Sequence, residues 1–297
     1  MEPTPTANPH TDGAVGPVPA RPALRPGAAL FTVDGRGTAL RSATGEMFDL
    51  ALPEATARAT LDALAGADGD VRVLREPLAA FASAGHLGNR PVWPSGRASV
   101  AVLTTSASLH DALAEALERA GARPSPVDDA TTPRELAEGG WTAVCAIADG
   151  PAPPGWSALD ALPAAGVAWQ RVSREGRHVL LEPVASRPDD VSHTDVRRRR
   201  LAAAGSGHVH LTAYWERSSD AHTGAMARGD ERLSAFEAVL VAQLAAFDLR
   251  LWATSATPRD TELSPGALPP TRRLRVLDLD SGAIADHPVL PVPPCAP

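Results

Sequence analysis

Ser99-Val100-Ala101-Val102-Leu103-Thr104-Thr105-Ser106-Ala107-Ser108-Leu109 is the stretch that decides the fold. Its first five residues are a short apolar run, which predicts a buried strand. Ser108 followed by Asp111 resembles a capping box, and Leu109, Leu113 and Leu117 then recur at helical spacing. Strand-like and helix-like stretches alternate downstream, so a parallel α/β sheet is expected, with a first unit of the kind that binds dinucleotides or ATP. In such units the connecting turn carries glycines, so that backbone amides close on phosphate at the helix start. Thr104-Thr105-Ser106-Ala107 has none. The scaffold of a nucleotide domain is predicted without its phosphate grip, which favours binding over catalysis.

With 297 residues, 44% of them hydrophobic and 21% charged, the chain has the composition of a globular protein of one or two domains. A net charge of -7 argues against nonspecific nucleic-acid binding. The run Arg197-Arg198-Arg199-Arg200 lies in a helical stretch and reads as a solvated face, or else as a partner-binding patch. Every basic residue is arginine, so a P-loop lysine, a Schiff-base lysine and a lysine base are all excluded. Cys145 lies in the strand-like Thr142–Ile147 as a small hydrophobe, and with Cys295 it implies no disulfide framework. No segment has the length of a membrane span and no signal pattern opens the chain, so a cytoplasmic protein is expected.

Residues 1–27, rich in Pro, Ala and Gly, read as a disordered tail. Residues 28–87 read as a compact module. Ala29–Val33 and Thr38–Ser42 form a hairpin about Asp34-Gly35-Arg36-Gly37, and Glu46–Leu50 a third strand. A helix follows from Pro53 to Gly66, a short one from Val71 to Leu74, and a third from Pro77 to Gly85. Three strands then three helices is the order of a winged helix-turn-helix. Residues 88–97 read as a linker, and 98–297 as the α/β domain. Within it Glu216–Gly229 is loop-like, Leu233–Leu251 a long helix and Leu274–Ile284 a final hairpin. That helix is apolar nearly all round, so it is either central to the domain or packed against another chain.

Asp128 lies where a dinucleotide fold places its ribose-binding acid, though without the glycines it also reads as a surface acid at a strand end. His208 and His210 alternate as on one strand face, but two ligands do not make a metal site. No Gly-x-Ser-x-Gly elbow anchors a hydrolase. No catalytic residue, metal or cofactor is therefore assigned. The third helix, Leu78–Ala84, carries no basic residue and no Asn or Gln, so it is unsuited to DNA. It suits an added peptide strand instead. The candidate peptide-binding residues are Glu46, Met47, Phe48, Asp49 and Leu50 on the strand, and Leu78, Phe81 and Ala82 on the helix. The other reading is that the rest of the protein covers this face.

Taken in order, the modules resemble the ThiF-like partner proteins of YcaO cyclodehydratases, which act in the biosynthesis of thiazole- and oxazole-containing ribosomal peptides, thiopeptides among them. The likeness covers about Ala28 to Pro297. It rests on element order, on Glu182-Pro183-Val184 with Arg187-Pro188, on the apolar helix Leu233–Leu251, and on the ending His287-Pro288…Cys295. It implies an N-terminal leader-binding module, the RiPP recognition element, then a degenerate ThiF-like Rossmann-type domain. It also implies a non-catalytic role, with a precursor leader peptide and a YcaO enzyme as partners and a homodimer or hetero-oligomer as the assembly. Relatives hold zinc with two Cys-x-x-Cys pairs. Here Asp189–Asp195 has no cysteine and only Cys295 remains of the second pair, so no such site is expected. An active adenylating enzyme and a winged-helix regulator are the alternatives.

Overall fold

A computed structural model describes residues 22–66, 74–88, 92–104, 106–128, 130–219, 232–255 and 268–293. The chain divides into two units, at Pro91 and Val92.

In the first unit β1 (Ala29–Val33), β2 (Gly37–Arg41) and β3 (Met47–Leu50) form an antiparallel sheet in that order. Helices α1 (Glu54–Leu64) and α2 (Arg75–Ser83) follow. The short middle helix read at Val71 lies outside the described residues up to Leu74. Leu78 and Leu74 pack with Ala63 of α1 to form this unit's small core. The end of the expected tail is ordered: Leu24 bridges Leu87, Arg25 N donates to His86 O at 2.8 Å, and Gly88 N to Ala23 O at 3.0 Å. Backbone pairing with the stretch after α2 outweighs the tail's disorder-like composition.

The second unit begins earlier than residue 98. Trp93, in the stretch read as linker, is buried in the main core, and its Nε1 donates to Arg97 O at 2.9 Å. Next come β4 (Ser99–Leu103), α3 (Ala107–Ala120), β5 (Arg123–Val127), α4 (Pro133–Glu138), β6 (Ala143–Ile147) and the 3-10 segment Pro154–Ala165. β7 (Ala168–Glu175), β8 (His178–Leu181), α5 (His193–Ala204), α6 (His208–Ser219), α7 (Ala235–Thr254), β9 (Arg273–Asp278) and β10 (Ile284–Pro288) complete it. The seven-stranded sheet has the order β10-β9-β8-β7-β6-β4-β5. Its β5, β4, β6 and β7 are parallel; β8, β9 and β10 run antiparallel to their neighbours.

Alternation along the buried strands builds two cores. Val100, Val102, Cys145 and Ile147 face α3 and the alanine-rich side of α7; Ala101, Leu103, Val144 and Ala146 face Leu136, Trp156 and Leu162 on the other side. Gly121 ends α3 at φ +102°, where a Cβ would meet Trp93 Cβ at 3.1 Å.

The outer strand β5 contains Pro124 and Pro126. Arg123 N donates inward to Ala98 O, so the alternate positions 124 and 126 direct their nitrogens to the open side, where proline removes no ladder bond. Three readings are corrected. Ser106, not Ser108, caps α3, accepting from Leu109 N at 3.5 Å. His208 and His210 lie on α6 rather than on a strand, where positions i and i+2 point apart. Glu216–Ser219 closes that same helix rather than opening a loop; the rest, to Gly229, lies outside the described residues.

Candidate functional site

The edge strand β3 and helix α2 flank the candidate peptide-binding groove. β3 pairs with β2 on one side, and among the described strands nothing pairs with its other side. Phe48 lies opposite Leu40 of β2, which is buried, so both share the face that turns to the helices. The Phe48 ring, 42% exposed, lies 6.1 Å from the His86 imidazole, and that imidazole lies 6.3 Å from the ring of Phe81. A Phe48–His86–Phe81 row thus joins the open strand to the helix. Met47 is 63% exposed and Asp49 exposed on the opposite face, and Leu50 is half-buried. Glu46 is exposed just before the strand and its N–H donates to Ser42 Oγ at 3.0 Å.

On the helix, Ala82 is half-buried, Phe81 is 6% exposed, and Leu78 is sealed inside. Leu78 therefore supports the groove from beneath rather than lining it. His86, which sequence reasoning passed over, lines it instead. Its place is fixed at the end of α2, where its N–H donates to Phe81 O at 2.8 Å after the left-handed Gly85, and by Arg25 N, which donates to its carbonyl.

A second candidate is the carboxyl end of the parallel strands, where this kind of sheet binds nucleotides. The structure fills it with protein groups. Thr104 Oγ1 accepts from Ser106 N at 3.2 Å, and Ser106 Oγ takes an amide of the first turn of α3. Asp149, after β6, accepts the N–H of Leu233 at 3.1 Å and forms an ion pair with Arg174, also 3.1 Å. The adjoining cavity of about 280 Å³ is lined by Arg174, Arg177, Leu233, Glu237 and Asp280 among others. Arg177 is paired with Asp278 and Asp280, so Arg174 and Arg177 are already opposed by carboxylates. Asp128 accepts from Ala130 N at 2.8 Å in a local turn after β5.

Glu182 and Pro183, among the residues that carried the family likeness, lie in a buried ionic hub of the second unit. Arg171, fully buried, donates from Nε to Glu182 at 2.9 Å and from Nη2 to the carbonyl oxygens of Pro183 and Val191. His193 Nδ1 is 2.9 Å from the same carboxylate. Burial pushes the Glu182 pKa up, but His193 and Arg171 outweigh it and hold the group below the ordinary glutamate range. Asp160 of the 3-10 segment accepts from the N–H groups of His193 and Thr194, which anchors the start of α5. The turn after Pro183 is closed by Asp190, which accepts from Ser186 N and Arg187 N.

The C-terminal segment is clasped by the same helix: Asp195 accepts from Val292 N, and Arg199 donates to Leu290 O and Pro291 O. Most of the arginine run is thereby committed within the fold. Arg197 and Arg200 lie over the Trp215 ring, at 4.0 and 5.2 Å, and Arg200 also bonds Glu175. Arg198 and Arg199 are the exposed members of the run. Among the described residues no cluster of three His, Cys, Asp or Glu is placed to hold a metal ion. Among them, too, no helix is long and apolar enough to cross a membrane.

No protein-family model matches the sequence, and no curated protein matches it. Solved structures share its fold. The heterocyclase TruD superposes with a TM-score of 0.62 at 14% identity, over 93% of this chain and 42% of that one. A heterocyclase in complex with substrate and cofactor gives 0.60 at 15% identity, over 91% and 38%. E. coli MccB with AMPCPP and selenomethionine MccA gives 0.53 at 9% identity, over 93% and 98%. This chain spans about two fifths of the length of the two heterocyclases. The likeness at these identities is one of fold.

Proposed function

We propose that the chain is a non-catalytic scaffold that binds the leader of a ribosomal precursor peptide and presents it to a YcaO cyclodehydratase. The observation that carries this reading is the open edge of β3 set beside α2, with Phe48, His86 and Ala82 along the groove. An extended leader would add as a fourth strand, its backbone pairing with Met47–Leu50 and alternate side chains entering the groove. The fold shared with heterocyclases supports the setting. The chemistry is assigned to a YcaO partner, as the family resemblance implies. That YcaO partner would phosphorylate the backbone amide oxygen while cyclising Cys, Ser or Thr. Tethering the leader would raise the effective concentration of the core peptide at its active site.

The test is fluorescence anisotropy of the full chain with the labelled leader of the precursor encoded beside its gene, followed by co-purification with the adjacent YcaO protein. Saturable leader binding and a stable complex are expected. Absence of leader binding would overturn the reading. Fold likeness to MccB, whose structure includes AMPCPP, keeps an adenylating enzyme as the second reading. Pyrophosphate exchange from ATP would reveal it.

A further inference from the structure

Backbone bonding along β3 alternates between its two sides. Ser42 N donates to Glu46 O at 2.8 Å, and the same register sets Leu40 opposite Phe48 and Thr38 opposite Leu50. Alternate antiparallel pairs share one bonding state, so Phe48 and Leu50 direct their backbone groups to β2, while Met47 and Asp49 direct theirs to the open side. An added antiparallel strand bonds at those two residues. Its residue opposite Phe48 then lies in a non-hydrogen-bonded pair, where side chains come closest, at about 4.5 Å between Cα atoms. One side chain of the incoming strand is thus delivered to the Phe48 ring on the face turned to α2, and the His86 imidazole lies 6.1 Å from that ring.

His86 is half-buried between the Phe48 and Phe81 rings, and neither nitrogen of its imidazole is engaged by another described residue. The carboxylates on and just before β3 are turned elsewhere. Asp49 lies on the opposite face of the strand, and Glu46 accepts from Thr44 Oγ1 at 3.1 Å. A strand laid along β3 takes water away from the imidazole, and a polar group covered without a partner is costly. The incoming side chain has to supply that partner. We propose that His86 determines the specificity of the groove, selecting leaders that place a carboxylate, Asp or Glu, opposite Phe48. This deepens the leader-binding reading and rests on it. A carboxylate accepts a charge-assisted bond, roughly twice as strong as a neutral one. Phe48, Phe81 and Ala82 around it offer no competing side-chain donor. The leader residue two places earlier lies opposite the apolar Leu50, so the pattern read is apolar, any residue, acidic.

Fluorescence anisotropy of the full chain tests this with the labelled leader of the precursor encoded beside its gene. A set of leader variants replaces each Asp by Asn and each Glu by Gln, one at a time. One replacement should weaken binding to the wild type about tenfold. The same replacement should change nothing in His86→Phe, which keeps a ring but offers no donor. His86→Gln keeps a donor and should retain part of the discrimination. His86 is half-buried just after the turn that ends α2, so circular dichroism of both variants should match wild type, and His86→Gln carries the test if His86→Phe does not fold. A leader that binds the wild type while no carboxylate replacement weakens it overturns the proposal and leaves leader binding standing. So does a replacement whose effect is equal in wild type and both variants. A leader that does not bind at all overturns the leader-binding reading, and this inference with it.

Discussion

Glu182 and His193 meet at 2.9 Å with both side chains almost wholly excluded from solvent, and Arg171 closes on the same carboxylate. The sign of the pH effect follows from the depressed Glu182 pKa. The stabilisation is complete above the unfolded-state value of about 4.5, and is lost as pH falls through the lower folded-state value. Glu175 adds to the same loss: burial raises its pKa, and Arg200 and Trp215 more than offset that. The urea midpoint of the wild type should therefore drop on acidification below about pH 4.5. Glu182→Gln should cost about 3 kcal/mol at neutral pH, by leaving the buried Arg171 guanidinium without its anion, and should lose less on acidification. Equal acid slopes for the two proteins would contradict this account.

The groove on β3 and α2 makes separable demands on its residues. Phe48 is partly exposed, so Phe48→Ala should leave the fold intact and weaken leader binding about tenfold, the worth of one partly buried aromatic contact. Phe81→Asp would put a charge into a buried apolar position, costing roughly 2 kcal/mol or more. Because Phe81 is also core, its circular dichroism spectrum must be matched to wild type before a binding loss is read. Full affinity in a folded Phe81→Asp protein would show that the leader docks elsewhere.

Nucleotide and metal binding should both fail in the purified chain. Thr104 and Ser106 already occupy amides at the start of α3, and the cavity beyond is ringed by paired charges. Cys145 is no ligand either: burial pushes its thiol pKa far up, and its Sγ donates to Gln170 Oε1 at 3.4 Å. Calorimetry with Mg-ATP should give no binding heat, and metal analysis no stoichiometric zinc. Micromolar ATP affinity or one zinc per chain would contradict the prediction.

The clasp on the C-terminal segment is the last quantity open to measurement. Arg199→Ala removes two charge-assisted bonds at a solvated position, so a loss of about 1 kcal/mol is expected. The melting temperature should fall by about 2–4 °C, and hydrogen exchange at residues 289–293 should accelerate. Unchanged exchange there would mean that Val289, packed on Val191 and Val196, holds the segment without it.

Most of the fold is legible where period and burial coincide: the runs at Ser99–Leu103 and Ala143–Ile147 are strands because both faces are covered. The α6 error has the same root. His208-Val209-His210-Leu211 alternates like a strand, but it continues a helical path from α5 through Gly205–Gly207, and tertiary context overrides the pattern. Ser106 and Ser108 both suit a cap, and spacing alone does not choose between them. The candidate site rests on β3 and α2, whose apolar faces are local, and His86 joins it through the turn that ends α2, where its N–H donates to Phe81 O. The ionic hub is illegible because nothing local ties Glu182 to His193 or Asp195 to Val292.

Pro124 and Pro126 bear on more than their own strand. A protein that recruits its client by offering an unsatisfied strand edge runs the hazard that the client, or another copy, anneals to the wrong edge. Along β5 the outward amide protons are missing at both positions, so that border of the larger sheet offers no donors there to an incoming strand. Under the leader-binding proposal, a client would find no backbone donors at those two positions, with no gatekeeping charge required.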